Sequence, residues 1–105
     1  MSENIPLTEA VYYILLSLIE PMHGYGIMQN VAKLSVGRVQ LAAGTLYGAI
    51  TTMLERGWIE AVPGESHSRR KEYKITPTGE AVVKNELVRL RELVSNGEAI
   101  LGRNQ

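Results

Sequence analysis

Residues 44–60, GTLYGAITTMLERGWIE, and residues 69–80, RRKEYKITPTGE, decide how this chain folds. In the first stretch Leu46, Ile50, Met53 and Leu54 recur at helical spacing, and Gly57 stands where a helix end turns left-handed. The spacing predicts a helix from about Ala43 to Arg56. Trp58 to Val62 and Glu72 to Thr76 are rich in aromatic and β-branched residues and read as strands. Pro63 to Lys71, between them, holds Pro, Gly, two Ser and the run Arg69, Arg70, Lys71. The strands therefore pair as a hairpin with a basic tip. Thr76 caps a final helix whose first residue, Pro77, needs no backbone N–H there.

Upstream, Thr8 is an N-cap followed by Glu9, and Val11, Ile14, Leu15, Leu18 and Ile19 form an amphipathic stripe that Pro21 stops. A shorter helix follows the turn at His23 and Gly24, with Ile27, Val31 and Leu34 on one face and an end before Gly37. A short extended piece covers Val39 to Leu41. Three helices and then a two-stranded hairpin is the order of a winged helix-turn-helix, a mainly α fold with a small β element. The expected division is a winged-helix domain over residues 1–76 and a C-terminal dimerisation helix over residues 77–105.

The 105 residues, 45% of them hydrophobic, suffice for one core. With no cysteine there is neither disulfide nor thiolate metal site, and His23 and His67 stand far apart with no ligand cluster. No metal or cofactor is expected. The chain also has no Asp, and Ser17, Ser35, Ser66 and Ser68 lack a base beside them, so catalysis is not expected. The run Ala10 to Ile19, bracketed by Glu9 and Glu20, is about half a membrane span. Met1 to Pro6 lacks the basic residues of a signal peptide. A cytoplasmic protein is expected, with no membrane partner.

The formal net charge is +0, but it is unevenly distributed. Residues 1–32 carry three Glu and no Lys or Arg, whereas residues 33–74 carry seven basic against four acidic residues. The basic middle third holds the elements that could meet a phosphate backbone. On the predicted third helix, the face opposite the apolar stripe carries Gly44, Gly48, Thr51, Thr52 and Glu55, flanked by Thr45 and Tyr47. Small residues allow close approach to a groove, and the hydroxyls of Thr45, Tyr47, Thr51 and Thr52 can bond base edges or phosphates. The same composition suits a solvated helix surface equally well. Arg69, Arg70 and Lys71, with Lys74 beyond, can reach phosphates or a minor groove, with Ser66, Ser68 and His67 near them, although a basic loop tip is often only solvated. Tyr25, Tyr73 and Trp58 are assigned to the core.

In the last helix, Val83, Leu87, Leu90, Val94, Gly97 and Leu101 are spaced by alternating fours and threes, the seam of a helix that meets another helix. A helix from Pro77 to about Arg103 is roughly 40 Å long, and a compact domain of this size has a radius of gyration of about 13 Å. Much of the seam must project, and a second copy would cover it. A fold-back after a break at Asn96 and Gly97 is the alternative.

The two stretches quoted first, with LTEAVYYILLSLIEPMHGYGI at residues 7–27, resemble the PadR family of transcriptional regulators over about three quarters of the chain. The resemblance implies double-stranded DNA as a partner, contacted by Thr45, Tyr47, Thr51, Thr52, Arg69, Arg70 and Lys71. It implies pairing through the C-terminal helix, which agrees with the seam at Val83, Leu87, Leu90, Val94 and Leu101. Some short members of that family hold flat aromatic drugs between tryptophans at the dimer centre. This sequence departs there, since its only Trp is at position 58. The expected function is that of a sequence-specific homodimeric regulator, a repressor on a palindromic operator, released by a small hydrophobic effector. The alternative is a winged-helix protein-interaction module that does not bind DNA, suggested by the zero net charge and the lack of Arg on the third helix.

Overall fold

The structure, a computed structural model, describes residues 6–63 and 71–103. Its elements are α1 (Glu9–Ser17), β1 (Met22–His23), α2 (Gly24–Leu34), α3 (Ala43–Glu55), β2 (Ile59–Val62), β3 (Glu72–Ile75) and α4 (Pro77–Gly102). The winged helix-turn-helix is present: three helices, a hairpin of β2 and β3, and a long last helix. Thr8 caps α1 by accepting the Val11 N–H at 3.1 Å, and Thr76 caps α4 by accepting the Gly79 N–H at 3.0 Å.

Two departures from the expected elements are instructive. The sheet has three strands, in the order β1-β3-β2, all antiparallel. Met22 pairs with Tyr73 and His23 with Glu72, covering the side of β3 that a simple hairpin would leave open. Two residues are too short to show alternation, so β1 left no pattern to read. The other departure concerns the end of α2. Gly37 N–H bonds Ala32 O at 2.8 Å and Val36 N–H bonds Lys33 O at 3.1 Å, the paired hydrogen bonds of a left-handed helix cap. The helix ends before Gly37 as expected, and Gly37 is left-handed (φ 81°), but the valine before it, Val36 (φ 53°), is left-handed as well. The end of α3 has the same bonding, Trp58 N–H to Met53 O and Gly57 N–H to Leu54 O at 3.0 Å each, and there Gly57 (φ 73°) sits where expected.

The core draws Ile14, Leu15 and Leu18 from α1 and its C-cap, Ile27 and Val31 from α2, Leu46, Ile50 and Met53 from α3, and Ile59, Tyr73 and Ile75 from the sheet. Three expected stripe residues, Ile19, Leu34 and Leu54, are exposed because they fall at the edges of their stripes. Tyr25, expected in the core, is 60% exposed on the first turn of α2. Tyr73 is buried as expected. Trp58 packs on the core's edge, with the Arg56 guanidinium 5.2 Å from its ring centroid. Gly79 lies so close to the Trp58 carbonyl that a Cβ there would overlap its oxygen and come within 2.7 Å of Ile75 Cγ1. That contact seats the start of α4 against the domain.

Helix α4 is unbroken through Asn96 and Gly97, so the fold-back does not occur. Only its first turns touch the core, through Val82 and Val83. The radius of gyration is 15.9 Å, above the ~13 Å of a compact chain of this length, as a projecting helix requires. Among the described residues, no helix is long and apolar enough to cross a membrane, and no group of acidic or histidine side chains could hold a metal.

Candidate nucleic-acid interface

Helix α3 buries Leu46, Ile50 and Met53 and thereby turns Gly44, Thr45, Gly48, Thr51, Thr52 and Glu55 outward. Nothing lies within 4 Å of where a Cβ would stand on Gly44 or Gly48, so the face is open. The hydroxyls are not equivalent. Thr51 donates to Tyr47 O at 2.9 Å and Thr52 to Gly48 O at 3.2 Å, which leaves each Oγ1 with free lone pairs outward. Back-bonded in this way they present acceptors, suited to the amino groups of adenine or cytosine rather than to phosphate. Thr45 has no such bond among the described residues.

The N-terminus of α3 differs from that of its neighbours. Its N-cap, Ala42, supplies no side-chain bond, and residues 42–45 are exposed, whereas α1, α2 and α4 are capped by Thr8, His23 and Thr76. Its first amides face solvent with the positive end of the helix dipole behind them.

Tyr47, about half exposed, leans back over Gly24 at the start of α2, where an added Cβ would overlap its Oη and stand 2.8 Å from Cζ. This contact couples the third helix to the second. Around it His23, Gly24, Tyr25, Tyr47, Lys71 and Tyr73 line a cleft of about 500 Å³ at the base of the wing. His23 caps α2 by accepting the Gly26 N–H on Nδ1 at 3.1 Å, so in the neutral ring Nε2 carries the proton. Burial, and secondarily the neighbouring Tyr47, hold the Tyr73 phenol above its ordinary value. The sequence reading included Tyr47 and Lys71 but missed His23, Tyr25 and Tyr73, because the pairing of β1 with β3 that gathers them leaves no sequence pattern.

Of the basic residues in the middle third, Arg38 is bound to Glu9 and Arg56 stacks on Trp58. Lys71 and Lys74 are exposed beside the sheet with no ion pair among the described residues. The expected wing-tip contacts Arg69 and Arg70, with Ser66, His67 and Ser68, lie outside the described residues.

The architecture recurs in known proteins. The model of the transcriptional regulator PadR-like family matches residues 14–85. This chain belongs to that family. A transcriptional regulator from Clostridium thermocellum is 32% identical, with a TM-score of 0.69 over 84% of this chain and 87% of that one. A PadR-like transcription factor from Bacteroides fragilis is 28% identical, with a TM-score of 0.66 over 87% of each chain. The PcaV transcriptional regulator from Streptomyces coelicolor, solved with its natural ligand, shares the fold at 19% identity, with a TM-score of 0.70 over 89% of this chain and 62% of that one. No curated protein matches the chain. This PadR-family chain is a DNA-binding transcriptional regulator with a winged helix-turn-helix, from a family of regulators rather than enzymes.

Along α4 the seam residues divide. Val83 packs on its own domain, Leu87 and Leu90 are half-buried, and Val94 and Leu101 are exposed. Leu7, Tyr12, Tyr13, Glu86 and Leu90 border an apolar groove of about 270 Å³ between α1 and α4.

Proposed function

We propose that this chain is a homodimeric repressor, residues 1–76 binding DNA and residues 77–105 pairing two copies. The observation that carries the reading is the outward face of α3, open at Gly44 and Gly48 and lined with threonine acceptors, beside the base of a wing. Thr45, Thr51 and Thr52 enter the major groove with Tyr47 at its edge, while Arg69, Arg70 and Lys71 hold the flanking backbone. With no Arg, Asn or Gln on the face, DNA shape and phosphate contacts carry much of the selectivity.

The exposed Val94 and Leu101 continue the line of Leu87 and Leu90, and a second α4 laid along it gives a two-fold dimer. Two such domains read the half-sites of a palindrome about one helical turn apart. A small hydrophobic effector entering the groove between α1 and α4 shifts one helix against the other and spoils that spacing.

The test is fluorescence-anisotropy titration of the protein's own upstream DNA and of scrambled DNA across a salt series, with sedimentation to give the oligomer. A dimer that prefers its own promoter, with affinity falling steeply as salt rises, is expected. Equal, weak binding to both DNAs overturns the reading and leaves the interaction module, which the zero net charge favours.

A further inference from the structure

The cleft at the wing base is built almost entirely of donors. Among the described residues, its lining of His23, Gly24, Tyr25, Tyr47, Lys71 and Tyr73 contains no carboxylate. His23 turns its Nδ1 inward to cap α2, which commits the Nε2–H to the other side of the ring. Tyr73 is only 7% exposed, yet its hydroxyl has no hydrogen bond among the described residues. The oxygen is not sealed in the core, where no side-chain polar atom among the described residues is left unsatisfied, but opens on the cleft, so a buried ring presents a free hydroxyl to whatever enters it. Its raised pKa, from burial beside Tyr47, keeps its proton on the oxygen. The start of α2 adds the positive end of its dipole, and Lys71 adds a full charge at the rim.

Donors arriving from a strand, two helices and the wing cannot all meet one planar carboxylate, but they suit the spread lone pairs of a tetrahedral oxyanion. The geometry points to a phosphate seat in this cleft, held by the hydroxyls of Tyr47 and Tyr73, the Nε2–H of His23 and the Lys71 ammonium. The same chemistry fits a backbone phosphate of the operator, with room for the sugar beside it, or a free phosphate. The first source rests on the DNA-binding reading and would place the seat beside the groove that α3 enters. The second does not depend on it.

Two arms separate the sources. In one, the full-length wild type, Tyr73→Phe, Tyr47→Phe and Lys71→Gln bind upstream duplexes in which single phosphates are replaced by neutral methylphosphonates. One phosphate in each half-site is expected to cost the wild type about tenfold in affinity. Tyr73→Phe and Tyr47→Phe lose a comparable factor with the salt slope unchanged, because no charge is removed. Lys71→Gln lowers the slope by about one per subunit. The methylphosphonate and the Tyr73→Phe losses do not add, since they remove the two ends of one bond. Melting of Tyr73→Phe confirms its packing, and Tyr47→Phe, on a half-exposed ring, repeats the test without touching the core.

In the other arm, inorganic phosphate is titrated into the protein without DNA and read from the His23 ring nitrogen resonances. A saturable shift in the wild type that Tyr73→Phe abolishes supports a free-anion seat, even if no DNA is bound. If the wild type prefers its upstream DNA, yet no single phosphate couples to Tyr73 or Tyr47 and free phosphate shifts nothing, the seat is overturned and the DNA-binding reading stands. If neither DNA nor phosphate binds, both fall.

Discussion

The Leu7 amide donates to Oε2 of Glu86 at 3.1 Å, joining the entry to α1 to the third turn of α4. Glu86 is a buried charge, 5% exposed, and Arg89 closes on it with Nε to Oε1 at 2.8 Å and Nη2 to Oε2 at 2.7 Å. A buried carboxylate needs that many donors to remain ionised. The same residue therefore ties α4 to the start of α1 as it leaves the domain, and in the proposed dimer it would bear on the distance between the recognition helices.

Glu86 makes the fold acid-sensitive in a defined direction. The hydrogen bonds from Arg89, opposed by burial and helped by the Leu7 amide, hold its carboxyl below the ordinary 4.5. The folded state then takes up this proton less readily than the unfolded chain. The stabilisation is complete above the unfolded value and is lost as pH falls through the lowered folded one. Glu86→Gln, which keeps the shape and an acceptor for Leu7, should flatten that part of the profile. Urea midpoints measured from about pH 6 to pH 3 should converge for the two proteins at the acid end. Parallel curves would show that the carboxylate is not coupled to folding. Glu86→Ala, leaving Arg89 and the Leu7 amide unpaired, should cost on the order of 2 kcal/mol.

Gly24→Ala separates binding from stability. The added methyl would meet the Oη and Cζ of Tyr47, the far end of a side chain that can swing into solvent. A small loss of stability, within about 1 kcal/mol, is expected. Operator affinity should nevertheless fall several-fold, because Tyr47 leaves the junction of α2 and α3. Anisotropy titration beside a thermal melt checks this. A melt lowered in proportion to the binding loss would assign the effect to folding instead.

Val36 is the reverse case, a residue whose replacement should help. It holds φ 53° at the end of α2, is 91% exposed, and is β-branched in a conformation that glycine adopts freely. Val36→Gly should raise stability by about 0.5–1 kcal/mol, read as a higher urea midpoint with unchanged slope. A lower midpoint would mean that the entropy glycine adds to the unfolded chain outweighs the strain it removes.

These two helix ends show what could be read beforehand. At α3 the apolar stripe and Gly57 agreed, so the end was legible to the residue. At α2 Gly37 marked the end of the helix and is left-handed, but nothing in the sequence showed that Val36 before it would be left-handed too. The helices, the hairpin and the caps at Thr8 and Thr76 came from periodicity and local hydrogen bonding, which a single segment specifies. The strand Met22–His23, the exposure of Tyr25 and the gathering of His23, Tyr25 and Tyr73 around one cleft depend on residues about fifty positions apart. No local pattern encodes that pairing. The acceptor-only posture of Thr51 and Thr52 likewise depends on a rotamer that composition does not fix.

Pairing through α4 can be tested on the helix itself. Relative to Leu87, the positions of Leu90, Val94 and Leu101 cluster within about 40 degrees of arc, whereas Val88 lies roughly 140 degrees from their centre. Val88, Val94 and Leu101 are all more than half exposed in the single chain, so exposure alone does not distinguish them. A seam does. Val94→Glu with Leu101→Glu places two carboxylates per chain in the shared interface, where four like charges must lose water together. Sedimentation at micromolar protein should show a folded monomer, with operator affinity lower by on the order of a hundredfold because the two half-sites are no longer linked. Val88→Glu adds a charge to the same helix and should leave a dimer with wild-type affinity. If the double variant stays dimeric, the pairing surface lies elsewhere; if Val88→Glu also dissociates it, α4 is packed on more than one face.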